Sequence, residues 1–160
     1  MSASVRLTND AGIPASALLL GVAGVLPFWL ATMLLWSNSD PVGPPLASAT
    51  TIAYGAIILS FLGGIRWGLA IAPGGGRPGA ASLALSVLPG LAGFVAMFTP
   101  TSIALCILIS GFLLHALWDV LAADTGRLPQ WFATLRMILT ALTVPAILLV
   151  LAKLVITSEF

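Results

Sequence analysis

Charge is the scarcest property of this chain. Only 7% of its 160 residues are Asp, Glu, Lys or Arg while 59% are hydrophobic, whereas a soluble domain carries roughly a quarter charged residues. With a mean hydropathy of +1.12, a water-soluble fold is excluded. The formal net charge is +1 and the six basic residues are scattered, so nothing forms the basic stripe that nucleic-acid binding needs. Cysteine is nearly absent too. Cys106 is alone, which rules out an intramolecular disulfide and a thiolate metal centre. His115 is also alone, and a stable transition-metal site wants three or four converging ligands. We therefore expect no metal and no cofactor. No nucleophile can be assembled with a base and an orienting partner either, and the expectation is a protein that is not an enzyme.

What the chain does have is long apolar runs. Pro14 to Trp36 carries no charge over about 23 residues, enough to cross roughly 30 Å of hydrocarbon. It is too long for a signal-peptide core, and it reads as an uncleaved anchor. The segment SNSDPVGPP punctuates a turn, and four further spans follow at about 46–72, 80–98, 101–122 and 131–156. The expected fold is all-α: one transmembrane domain, 1–160, of five helices.

Orientation follows from the basic residues, which are retained on the cytoplasmic side. Five spans put Arg6, Arg66, Arg77, Arg127 and Arg136 toward the face of the amino terminus and leave Lys153 toward the other. The amino terminus is thus expected in the cytoplasm and the carboxyl terminus outside. Within the second span, Gly55, Gly64 and Gly68 are small residues at spacings that allow close helix approach. Gly21, Ala23 and Gly24 near Pro27 echo Gly90, Ala92 and Gly93 near Pro89, a faint sign of a duplicated hairpin.

The chemistry gathers at one end of the bundle. At 1.5 Å per residue, Arg66 lies about 9 Å inside the end of the second span, Arg136 about 8 Å inside the start of the fifth, and His115 and Asp119 about 10 and 5 Å inside the end of the fourth. These four groups share one depth. His115 and Asp119, four residues apart, project from one helix face. An intramembrane charge is costly and usually faces the bundle, so Asp119 is expected to pair with Arg66 or Arg136. The second arginine leaves a positive surplus that would suit an anionic lipid or a docking partner; the plainer reading is that the arginines reach out to lipid phosphates. His115 beside Asp119 could relay a proton, although such a histidine more often bonds a neighbouring helix. Trp67, Trp118 and Trp131 are expected as interface anchors.

The segments YGAIILSFLGGIRWG (54–68) and PQWFATLRMILT (129–140), with Asp119 between them, resemble the transmembrane protein 69 family of small membrane proteins of unknown function. That resemblance runs over most of the chain. It implies five helices in a bacterial inner or a mitochondrial membrane and supplies no activity. Gly64, Arg66, Trp67, Asp119, Trp131 and Arg136 fall in its recognisable segments. The reading that follows is a multi-pass protein of the bacterial inner membrane, with the mitochondrial inner membrane as second choice. It would serve as an accessory or assembly component of a larger bioenergetic complex, with membrane lipids and other integral membrane proteins or its own copies as partners. The alternative is a small oligomeric transporter or channel for an anion or protons using Arg66, His115, Asp119 and Arg136.

Overall fold

The computed structural model describes residues 12–37, 44–72 and 79–158. Among them all regular structure is helical: α1 (Ala15–Trp36), α2 (Pro44–Ile71), α3 (Ala80–Ala96), α4 (Thr101–Asp124) and α5 (Gln130–Ser158). Helices are the expected outcome for such runs, because in lipid each backbone N–H must be satisfied within its own segment. Four of the five are long and apolar enough to cross a membrane. The third, 17 residues, rises only about 26 Å. Its expected end at residue 98 falls at Ala96 instead; residues 97–99 close into tight turns whose N–H groups reach back three residues, and Pro100 opens α4. Arg6, Asp40 and Arg77 lie outside the described residues.

Side-chain contacts define the packing directions. Gly63 and Gly93 of the α2/α3 pair meet Ser86 and Ala56, a descending match that makes these helices antiparallel. A Cβ on Gly93 would stand 2.8 Å from the Ala56 Cα, so the two backbones touch. On another face of α2, Gly55 receives Leu108 and Leu59 lies over Gly111 of α4. Those partners are separated by 53 and 52 residues, an ascending match that makes α2 and α4 parallel. Leu59, Leu105 and Leu108 are fully buried at this seam, together with Ile147 and Val150 of α5.

Helices α1 and α5 are also parallel. Trp29 donates its indole N–H to the Leu142 carbonyl at 3.1 Å, Thr32 its hydroxyl to that of Ala146 at 3.1 Å, and Trp36 its indole N–H to that of Leu149 at 3.2 Å. Pro145 lies inside α5. It has no N–H for the Ala141 carbonyl, and the first two of these bonds land on either side of that weak point.

The α4/α5 hairpin is closed by a glycine cap. Gly126 has φ +71°, the Arg127 N–H reaches the Ala122 carbonyl at 2.9 Å and the Gly126 N–H that of Ala123 at 2.9 Å. This is a Schellman arrangement, which needs a left-handed residue after the helix. Leu128 then folds back onto Ala122, Ala123 and Ala133.

Close packing expected at Gly64 and Gly68 is not found there. Both are exposed, with nothing within 4 Å of an added Cβ. Gly55 packs as expected, against Leu108 of α4, whereas the contact with α3 falls on Gly63 instead of Gly64, because α2 must serve α4 and α3 on different faces at once. Gly63→Leu is accordingly expected to destabilise the protein by about 1–3 kcal/mol through overpacking, and Gly64→Leu to stay within about 0.5 kcal/mol. Thermal melting of both variants in mild detergent checks this; equal losses would contradict the assignment.

Candidate functional site

The α2/α4 seam continues toward the far end of α2. The same offset of 53 that seats Leu108 on Gly55 brings Arg66 against Asp119. From the other side, the closed α4/α5 hairpin runs antiparallel, and its register carries Arg136 to the same carboxylate. Asp119 is 1% exposed, Arg66 8% and Arg136 7%. Oδ1 of Asp119 accepts from Nη2 of Arg66, and Oδ2 accepts from Nε of Arg136 at 3.1 Å. One carboxylate thus binds three helices together.

Arg66 has a second partner. Its Cζ lies 4.4 Å from the centre of the Trp118 ring, within cation–π reach. His115 meets the same indole edge-on, with ring centroids 5.7 Å apart. His115 is buried at 3% exposure, and among the described residues its ring makes no hydrogen bond. It joins the cluster through Trp118. Among the described residues, the hydrogen bond to a neighbouring helix expected from its chemistry is not formed.

Two guanidiniums against one carboxylate leave a net charge of +1. The arginine donors are also incompletely used: Arg66 Nε and Arg136 Nη2 are buried without a partner, and so is the hydroxyl oxygen Oγ1 of Thr140, one turn along α5 from Arg136. Unpaired buried polar groups are costly. Their concentration around one carboxylate marks this end of the bundle as the place where an acceptor would be welcomed.

The four expected site residues are therefore brought together, Asp119 pairing with both arginines. The tryptophans divide. Trp67 is 43% exposed, whereas Trp131 is half-buried against Phe132 at 5.8 Å. Trp118 is a wall of the charge site. Its role and that of Thr140 were missed from sequence. Both lie within the helical spacing of a charged or titratable neighbour, Thr140 four residues after Arg136 and Trp118 three after His115.

A multi-pass helical membrane protein with three intramembrane charges joined at one end of the bundle is the class that fold and site define. The chain belongs to the family described as "Protein of unknown function (DUF3429)", whose model matches residues 13–152. It is 37% identical over 145 residues to "Transmembrane protein 69" of Xenopus tropicalis, covering 88% of this chain and 54% of that one. To "Transmembrane protein 69" of Mus musculus it is 32% identical over 132 residues, covering 79% and 51% respectively. The chain thus spans about half the length of the curated relatives it matches. No solved structure matches it.

Removing the carboxylate should be worse than removing the whole triad. Asp119→Ala, which strands two buried guanidiniums, is expected to cost about 3–5 kcal/mol. The triple replacement Arg66→Met, Asp119→Leu, Arg136→Met should recover most of that loss, because well-packed apolar groups replace buried ions at little cost. Detergent melting curves of the two variants decide it; a triple variant no more stable than Asp119→Ala would contradict the buried-triad account.

Proposed function

We propose that this is a non-enzymatic, membrane-embedded accessory or assembly component of a larger membrane complex, with an anionic-lipid or partner-docking site at the triad end of the bundle. The observation that carries the reading is where the chain's polarity and apolarity lie. Arg66 and Arg136 are turned inward onto Asp119, while the bundle's outer faces keep apolar grooves that the chain itself does not cover. One groove, about 430 Å³, runs between α4 and α5 past Leu113, Leu117 and Met137 to Pro145. Another, about 230 Å³, lies between α3 and α4 with Leu88, Leu114 and His115 in its walls. In lipid, helices associate through shape and close packing rather than through hydrophobic driving force, and such recesses suit helices of other proteins.

A carboxylate that works in transport is expected to face a pathway, and the closure of Asp119 favours the accessory reading. The excess of arginines places the amino terminus in the cytoplasm in this proposal, and the membrane is the bacterial inner membrane. The frog and mouse relatives support membrane residence without choosing a particular membrane.

Photo-crosslinking in native membranes tests the proposal. A photoreactive residue at Leu117, 54% exposed in the α4/α5 groove, should give one defined protein adduct that also co-purifies stoichiometrically; the same residue at Leu30, 59% exposed on α1, should give lipid adducts. A strictly monomeric protein with lipid adducts at both positions would overturn it. So would proteoliposome flux of an anion or protons that is lost in folded Asp119→Asn, which would establish the transport alternative.

A further inference from the structure

The triad is flanked by a half-open cavity that the packing of α1, α2, α4 and α5 leaves between them. It holds about 140 Å³ and is lined by Gly24, Phe28, Leu62, Arg136, Thr140 and Thr143, among others. A space of this size accepts a benzene-sized body or several carbons of a chain. Gly24 creates part of the room. A Cβ at Gly24 would meet nothing closer than the Tyr54 Oη at 3.8 Å, and Tyr54 itself is held by donating to the Gly24 carbonyl at 2.9 Å.

Three observations identify the occupant. The polar residues of the lining are Arg136, Thr140 and Thr143; Nη2 of Arg136 and Oγ1 of Thr140 are buried and unpartnered, at 7% and 6% residue exposure. A guanidinium donates only and a hydroxyl can donate, so the matching group is an acceptor. The adjoining triad carries a surplus positive charge, which selects an anion among acceptors. The rim includes Leu20 and Phe61, 75% and 63% exposed within apolar spans, so the molecules that reach it are lipids.

We propose that this cavity binds the oxyanion of one acyl-chain amphiphile between Arg136 and Thr140, with the chain leaving past Leu20 and Phe61 into the bilayer. This rests on the anionic-lipid part of the function proposed above and gives it a location. It is independent of any protein partner. The shared chemistry is a carboxylate or phosphodiester on an apolar tail, from a free fatty acid or from an anionic phospholipid.

Native mass spectrometry of the delipidated full chain tests it, with dioleoyl phosphatidylglycerol, oleate, dioleoyl phosphatidylcholine and inorganic phosphate as separate probes. One equivalent of phosphatidylglycerol or of oleate should be retained, and which of them is retained identifies the source. Thr140→Val, which keeps the shape and removes the hydroxyl, should weaken retention about tenfold, as expected for a lost bond to a charged group. Gly24→Leu, which fills the cavity, should abolish it. Neither substitution touches the triad, and unchanged melting of Thr140→Val keeps the test valid even where Gly24→Leu fails to fold. Equal retention of phosphatidylcholine, retention of inorganic phosphate alone, or undiminished binding by both folded variants would overturn the proposal. No anion retained by the wild type would also overturn it, while leaving the crosslinking test of the accessory role intact.

Discussion

A single carboxylate, Asp119, organises this molecule. Burying it in the apolar span requires compensation by positive charge, and the compensation comes from two other helices, Arg66 on α2 and Arg136 on α5. Each arginine would be as costly as the aspartate if left alone. The three residues are therefore mutually obligatory, and their helices must share a register. A slide of α2 by one turn, about 5.4 Å, would strand Arg66 and leave Asp119 to Arg136 alone. The glycine contacts of α2 with α4 and the Schellman closure of the α4/α5 hairpin hold the same register from apolar and backbone sides, so the ionic and steric constraints agree.

The remainder of the bundle uses devices suited to a solvent as apolar as its own side chains. Close backbone approach at Gly63 and Gly93 binds α3 to α2. Trp29, Thr32 and Trp36 donate to backbone carbonyls of α5, and Tyr54 does the same to α1. Lys153 completes the far end by lying 5.2 Å over the Trp36 ring. Polar side chains thus act between helices as connectors to the backbone, and the exposed leucines and isoleucines face lipid without contributing to cohesion.

Much of this was legible in the chain. Helix number followed from the length of the apolar runs, and the shared depth of Arg66, His115, Asp119 and Arg136 followed from the constant rise of an α-helix. Rotation about each helix axis was harder to read. Gly64 and Gly68 matched a small-residue spacing as well as Gly55 and Gly63 do, and only the demands of two neighbours on α2 separate the sets. Trp118 was read from its depth alone, as an interface ring, although its face turns it beneath Arg66. Thr140 looks like any hydroxyl in an apolar helix until the cavity beside Arg136 gives its buried, unpartnered oxygen a setting.

The proposed role follows from this internal closure: a bundle that has neutralised most of its own charge presents lipid-facing grooves and one residual positive region to its surroundings. The most direct measurement is solid-state NMR of the protein in lipid bilayers, with the Asp carboxyl carbon and the Arg guanidinium nitrogens isotopically labelled. The account predicts two separate short-range carbon–nitrogen couplings at Asp119, one lost in Arg66→Lys and the other in Arg136→Lys. A carboxylate coupled to neither arginine, or to one alone, would contradict it.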